Sequence, residues 1–365
     1  MKRKVTVLVS NDVTLDKRVD KTCQIWLSEG WELNVIGVLR PQSQPISRAY
    51  KVSRINTFFQ KGALFYAMLN IRLFFKLSYI TTDVIWSNDL DTLLPAFIWS
   101  KIRGKQLIYD SHEWFTEAEG LTGRSWIKGF WKILESALLP RIKRTITVND
   151  SIANAYQKLY GVKMLVIRNV PEAASMQFSK TKSDWPMPQD MPWIILQGAY
   201  IDPDRGAEEL VEAVKLLEKV HLIIAGDGRA IPILKKKADL DKVTFIDKMP
   251  YADLMQLTAC CDLGLSLDKP MHKNYEFSLP NKIFDYALAG IPVLASPLPE
   301  IKRILLQYNF GRCIVSWEPH QLAKDILSAL GDEEYPKWKQ NTREVVNQCN
   351  WETETQPLRK WIRDL

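Results

Sequence analysis

Short, nearly unbroken apolar runs alternate along the chain with longer segments whose apolar positions recur every three or four residues. VTVLVS, residues 5–10, is the first such run. Val19, Cys23, Trp26 and Leu27 then follow at helical spacing, and Gly30 supplies a stop. Further strand-like runs lie at 32–38, 83–87, 106–110 and 145–148, separated by longer helical stretches. Strands that are apolar on both faces belong to buried parallel sheets. Strand, crossover helix and parallel strand repeated in this way imply a doubly wound α/β layer.

Between Pro171 and Pro192 the pattern dissolves into a stretch with four prolines and no sustained period, which reads as a linker. The alternation restarts with WIILQG at 193–198, a helix from about Gly206, HLIIAG at 221–226, VTFID at 243–247, LGLSL at 263–267 and PVLAS at 292–296. The division expected is residues 1–170, a linker at 171–192, a second domain at 193–335, and amphipathic helices at 336–365 that can pack back on the first domain. Two Rossmann-like domains facing each other would bring the carboxyl ends of both sheets to one cleft, where open α/β sheets bind ligands.

A length of 365 residues accommodates two such domains, and 46% hydrophobic with 25% charged residues is a globular balance. The formal net charge of +7 fits phosphorylated ligands or anionic surfaces. With no long basic run and no nucleic-acid motif, nucleic acid is not an expected partner. The cysteines, Cys23, Cys260, Cys261, Cys313 and Cys349, are odd in number and form no CxxC pair, which argues against a disulfide framework or a zinc site and fits a reducing, cytoplasmic compartment. MKRK precedes too short an apolar run for a signal core, and no stretch is long and apolar enough to span a membrane.

The segment YEFSLPNKIFDYALAG, 275–290, is the richest in chemistry. Pro280 suits the start of a helix, and with Leu279 and Asn281 it sets the amides of that start toward an anion. Lys282 adds charge in the first turn, Asp285 can accept from two sugar hydroxyls, and Glu276 is a second carboxylate in the preceding loop. The same residues also suit a capped helix with a solvated acidic neighbour. GAYIDPDRG, 198–206, follows a strand from Gly198 and sets Arg205 at a helix entry, where its fork matches phosphate oxygens. Gly226 and Gly228 after the next strand permit close approach of a nucleotide to the backbone.

In the first half, YDSHEW sets Asp110, His112 and Glu113 just beyond a strand, and Asn11 lies in the loop after the first strand. Asp89 and Asp91 in SNDLD form a DxD pattern like that of metal-dependent transferases, but they sit between a strand and an apolar helix, where they can cap that helix. No metal site is assigned. Two aromatic and basic stretches, 63–80 and 125–144, stand out. In the second, Trp126, Phe130, Leu134 and Ala137 share one helical face beside Lys128, Lys132, Arg141, Lys143 and Arg144. Such a helix either faces the core or docks on an anionic membrane.

These residues resemble the large retaining glycosyltransferase family of the GT-B fold, group 1, which includes many bacterial polysaccharide and lipid-glycan transferases. The resemblance runs through LDKRV, DSHEW, TVNDSIANAYQKLYG, IRNVPE, GAYIDPDRG, IIAGDG and LPNKIFDYALAGIPVLAS, in that order. It implies that Arg205 holds the donor diphosphate, that Asp285 binds the donor ribose, and that His112 contacts the transferred sugar, with Lys282 assisting at the diphosphate. Three positions depart from the family pattern. The loop after strand one is SNDVT rather than a glycine pair, Ala199 stands where many members have arginine, and Phe277 stands where the first acid of a pair is usual, with Glu276 one residue earlier.

The resemblance further implies a nucleotide diphosphate sugar as donor substrate, no other cofactor and no tightly bound metal. It implies a glycan or lipid-linked acceptor, with Asn11, Asp110 and Glu113 on the acceptor side, and a role in cell-surface polysaccharide synthesis at the inner face of the membrane. A nucleotide-sugar epimerase of the same architecture, or a non-catalytic nucleotide-sugar-binding protein, are the alternatives.

Overall fold

A computed structural model describes residues 2–172, 176–203 and 205–365. Residues 173–175 of the proline-rich segment and Asp204 of the GAYIDPDRG loop lie outside the described residues. The chain divides into two units, Met1–Asn169 with Thr355–Leu365, and Val170–Glu354.

The first unit contains strands β1 (Lys4–Leu8), β2 (Glu32–Leu39), β3 (Lys51–Asn56), β4 (Val84–Asn88), β5 (Gln106–Ser111), β6 (Arg144–Thr147) and β7 (Leu165–Val166). They pair in the order β3-β2-β1-β4-β5-β6-β7, all parallel. Central β1 registers Val7 against Val35 on one side and Trp86 on the other. One layer of the core is Leu8, Ile36, Val38 and Ile85 packed against Phe65, Leu69, Leu73 and Leu77 of the helix Gly62–Ser78. Those helical positions recur every four residues, which is why one face of the helix is buried.

The second unit contains β8 (Trp193–Gly198), β9 (His221–Gly226), β10 (Val243–Ile246), β11 (Leu263–Ser266), β12 (Val293–Ala295) and β13 (Gly311–Cys313), in the order β10-β9-β8-β11-β12-β13. These strands are also parallel, with Ile195 of β8 registered between Ile223 and Gly264. In each sheet the chain runs outward one way from the first strand and then returns to add strands on its other side. That reversal, between β1 and β4 and between β8 and β11, is the switch point at which open α/β sheets leave a crevice beyond the strand ends.

Two segments differ from the sequence expectation. The stretch 171–192, read as a linker, is packed into the second unit through its described part. Lys182 Nζ reaches Asp262 at 2.7 Å, the Ser179 amide donates to Gln256 at 3.0 Å, and Trp193 Nε1 donates to the Pro188 carbonyl at 2.6 Å. A segment with no ladder of its own satisfies its polar groups on neighbouring elements. The C-terminal stretch 336–365 is not one piece. In the helix Tyr335–Gln348, Trp338 joins the core of the second unit, while Gln356–Arg363 returns to the first, burying Leu358 and Ile362. Arg359 and Arg363 there hold Glu29 at 3.3 and 2.7 Å.

Candidate functional site

In the second unit, loops after β8 and β11 meet beyond the strand ends. Gly206 adopts φ +75°, and a Cβ there would lie 2.4 Å from the Leu267 carbonyl oxygen, so glycine is what lets the β8 loop close on the β11 loop. The closure brings Arg205 to Asp268. Arg205 Nη1 donates to Asp268 Oδ1 at 3.0 Å, Nη2 donates to the Tyr275 hydroxyl at 2.9 Å, and the guanidinium lies 4.5 Å from the Tyr275 ring centroid. Lys282 Nζ stands 3.2 Å from the other Asp268 oxygen. The Asp268 side chain is 3% exposed. Burial pushes its carboxyl upward, but Lys282 and Arg205 outweigh that and hold it below the usual carboxylate range.

The helix Lys282–Leu288 is fixed by Tyr286. Its ring sits where β11 has Gly264, at which a Cβ would meet it at 2.3 Å, and its hydroxyl donates to the Leu265 carbonyl at 2.9 Å. Lys282 is four residues earlier, on the same helical face, so the buried tyrosine sets the lysine's position. Asp285 accepts from the Tyr251 hydroxyl at 2.6 Å, which turns its carboxylate toward the helix Tyr251–Ala259.

Arg205 and Lys282 are therefore gathered on Asp268 beyond the ends of β8 and β11, with Asp285 one turn along the helix from Lys282. Gly198, Gly226 and Gly228 are also there, and what the last two visibly admit is the protein's own backbone. A Cβ on Gly226 would lie 1.8 Å from the Gly198 carbonyl oxygen, and one on Gly228 would lie 2.2 Å from that of Ile201. The bond from the Ile201 amide to the Asp227 carbonyl at 2.6 Å seals this contact. The glycines are required by loop packing against loop, whatever else approaches them. Glu276 ends the short helix Lys273–Glu276 and pairs with Lys273 at 2.6 Å. Leu279 and Pro280 are half-buried and Asn281 is exposed. The anion-binding helix start expected there is shorter than the sequence suggests, because the Ile283 amide is already bonded to the Pro280 carbonyl and those of Phe284 and Asp285 to the Asn281 carbonyl.

Asp268, Tyr251 and Tyr275 were not singled out from the sequence. Asp268 carried one signal: it is a carboxylate two residues beyond a fully buried strand, in the loop where ligand groups of such sheets reside.

In the first unit the corresponding switch-point loops follow β1 and β4. Asp89 has φ +58°, unusual for a residue with a side chain. This turn aims its carboxylate across to the end of β5, where Oδ1 accepts the His112 amide at 2.9 Å and Oδ2 lies 3.6 Å from Nδ1. Asp89 therefore does not cap the following helix, contrary to the capping alternative. Asp91, the second acid of the DxD pattern, is buried, and burial and then the neighbouring Asp89 charge push its carboxyl up to about 7. Among the described residues no three His, Cys, Asp or Glu side chains are grouped to hold a metal ion.

His112 Nε2 lies 3.4 Å from Asp110 Oδ2. Asp110, only 1% exposed, accepts from Arg18 Nη2 at 3.0 Å, and Arg18 Nη1 donates to the Ile167 carbonyl. Burial disfavours a charged imidazole, but the carboxylates of Asp89 and then Asp110 outweigh it and push His112 up to about 9. The ring is thus a cation at neutral pH. Glu113 follows, half-buried, its carbonyl accepting from the Ser111 hydroxyl at 2.6 Å. Asn11 is exposed and donates to Asp16 at 2.7 Å, shaping its own loop.

Residues 192–332 match the family model described as glycosyl transferases, group 1. No curated protein matches the chain in sequence. Among solved structures, sucrose-phosphate synthase from Thermosynechococcus elongatus superposes with a TM-score of 0.79 at 16% identity, covering 100% of this chain and 99% of that one. HepE from Anabaena, in complex with UDP and glucose, gives 0.73 at 16% identity with full coverage of both chains. WaaG, a glycosyltransferase involved in lipopolysaccharide biosynthesis, gives 0.66 at 16% identity, covering 98% of this chain and 99% of that one. Residues 192–332 of the second unit thus match the group 1 glycosyltransferase domain, and the fold of the chain is that of the GT-B glycosyltransferases.

Proposed function

We propose that the protein is a retaining, metal-independent glycosyltransferase that moves a sugar from a nucleoside diphosphate donor to a glycan or lipid-linked acceptor, in cell-surface polysaccharide synthesis on the cytoplasmic side of the membrane. The observation that carries this reading is the convergence of Arg205 and Lys282 at the β8–β11 switch point, with Asp285 one helical turn beyond Lys282. Two cations fixed by a buried partner are suited to a diphosphate, and a tethered carboxylate is suited to ribose hydroxyls. That HepE is solved with UDP and glucose, and WaaG is named for lipopolysaccharide synthesis, supports the same classes of donor and acceptor.

In this reading the bond from the anomeric carbon to the diphosphate breaks first. Negative charge builds on the leaving oxygen, and Arg205 and Lys282 stabilise it where it develops. The acceptor hydroxyl then adds on the face the diphosphate has left, passing its proton to a phosphate oxygen, so configuration is retained. His112, cationic and held between Asp89 and Asp110, is assigned to the transferred sugar. A thermal-shift series with UDP, ADP and GDP and their glucose conjugates tests the donor site. At about one hundred times its dissociation constant a ligand adds ~2.7 kcal/mol to the unit it binds. At least one of them is expected to raise the melting temperature by several degrees. A flat response to all would remove the donor reading.

The acceptor side of the proposal includes a membrane surface. On the helix Ser125–Leu138 the buried positions are Trp131, Glu135 and Leu138. Its outward stripe is Trp126, Phe130, Ile133 and Ala137, with Trp126 74% and Ile133 71% exposed, while Leu134 is half-buried rather than part of the stripe. Lys128 and Lys132 both pair with Glu117, at 2.5 and 3.0 Å, which takes up part of the adjacent basic charge. Among the described residues no helix is long and apolar enough to cross a membrane, so docking would be peripheral. Flotation with phosphatidylglycerol vesicles is expected at low salt and is expected to weaken at high salt, as screening removes the ionic part. Absence of flotation at low salt would remove the membrane from the proposal.

A further inference from the structure

Asp268 has no place in the charge logic just given, since it is an anion set against both cations that would receive an anionic ligand. Its position is nevertheless strongly determined. The carbonyl of the preceding residue, Leu267, accepts from Trp317 Nε1 at 2.9 Å and fills the space beside Gly206. The carboxylate is buried, with Arg205 at 3.0 Å on one oxygen and Lys282 at 3.2 Å on the other. Arg205 is held on its far side by Tyr275. Neither cation is left mobile, and neither pair can be dissolved without exposing a buried charge.

Two consequences follow from charge alone. Without a ligand, an arginine and a lysine brought to one spot repel, and a carboxylate between them holds both in place. With a diphosphate bound on their outer side, the same carboxylate lies just behind the cations and repels the ligand through a poorly screened interior.

We infer that Asp268 is a positioning residue acting as a fixed counter-charge: it holds Arg205 and Lys282 ready for the donor diphosphate and weakens the hold of that site on the diphosphate product, so that the product leaves. The inference rests on the donor reading above. It commits to a direction opposite to that of a merely structural residue, whose neutral replacement would loosen the site and weaken binding.

The test is calorimetric titration of UDP and of inorganic pyrophosphate into the full chain and its Asp268→Asn, Asp268→Ser and Asp268→Glu variants, with melting curves and donor kinetics alongside. Asparagine keeps an acceptor for Arg205 but not the charge, so the dissociation constant for UDP is expected to fall about tenfold, since a repulsion from behind the cations is removed. Product inhibition by UDP is expected to strengthen, with kcat falling alongside KM for the donor as release becomes slow. Glutamate, which restores the charge, is expected to return the UDP affinity to within about threefold of the original. Serine gives the neutral reading in a smaller side chain if asparagine disturbs folding. UDP affinity that is unchanged or weaker in a cooperatively melting neutral variant, beside normal binding by the unaltered protein, overturns the role of Asp268 and leaves the donor site standing. No binding of UDP or pyrophosphate by the unaltered protein overturns both.

Discussion

Replacing Arg205 with alanine is expected to lower kcat/KM for sugar transfer about a hundredfold, and by no less than about tenfold; loss of one charge-stabilising donor from a transition state costs on the order of 10²–10³. The size follows from what the side chain does. Its fork is aimed by two fixed partners, Asp268 at 3.0 Å and the Tyr275 hydroxyl at 2.9 Å, so its orientation is set before substrate arrives. Pre-set charge need not reorganise as the diphosphate departs. Lysine at the same position keeps the charge and loses the planar fork and the stacking on Tyr275, so Arg205→Lys is expected to fall between alanine and the unaltered enzyme. The comparison is made with variants whose melting curves match the parent, because alanine leaves Asp268 with Lys282 alone. Unchanged turnover in a folded alanine variant would take Arg205 out of the chemistry.

The second large effect is on stability and belongs to the first unit. Asp110→Asn is expected to destabilise that unit by about 3 kcal/mol, because Arg18 is then left buried opposite a neutral amide. Calorimetry at neutral pH would register this as a fall of roughly 6–12 °C in its transition, at the 2–4 °C per kcal/mol usual for its size. The pH dependence carries a further signature. In the folded chain burial works against the Asp110 carboxylate, but Arg18 and His112 hold its pKa well below the usual value. Its contribution is thus present above the unfolded carboxylate pKa near 4 and is lost as pH falls through the folded value. His112 is shifted the other way, from about 6.5 to about 9, so its contribution is complete below pH 6.5 and disappears as pH rises to 9. Asparagine at 110 is expected to flatten the acid limb and to reduce the alkaline one, where Asp89 still supports the imidazolium. Parallel pH profiles in the two proteins would show that Asp110 and His112 are not coupled.

Most strands were legible because a strand buried on both faces needs a solid apolar run, and VTVLVS, WIILQG and HLIIAG supply it. β3 and β13 did not show the pattern, and both lie at an edge of their sheet. KVSRIN is largely half-exposed, so only Val52 and Ile55 in it are apolar, and GRC is only three residues long. The linker reading of 171–192 rested on a related ambiguity. Proline-rich chain without periodicity can be loose or can be fastened by side chains elsewhere, and Asp262 and Gln256, the fasteners, lie about 80 residues away.

At the candidate site Arg205 and Lys282 were conspicuous in the sequence, each near the opening of a helix, with Asp285 a turn further on. Their partners were not. Asp268 reaches Arg205, and Tyr251 reaches Asp285, from a different crossover, and a single aspartate or tyrosine beyond a strand is unremarkable until the sheet order brings β8 and β11 together. Gly226 and Gly228 show the converse. Glycine signals that a backbone must come close, and the sequence does not say whether the approaching backbone is a ligand's or the protein's own.

The return of Gln356–Arg363 to the first unit bears on how the chain is made. Translation delivers residues 1–169 first, yet the helix that covers part of that unit with Leu358 and Ile362 emerges only after some 185 intervening residues have left the ribosome. The early unit must therefore wait, its surface near Glu29 uncovered, while the later one completes itself. Once residues up to Glu354 have emerged, the nascent chain would carry a complete second unit while the first still lacks its last helix, and chaperones that recognise apolar surface would have that interval in which to act.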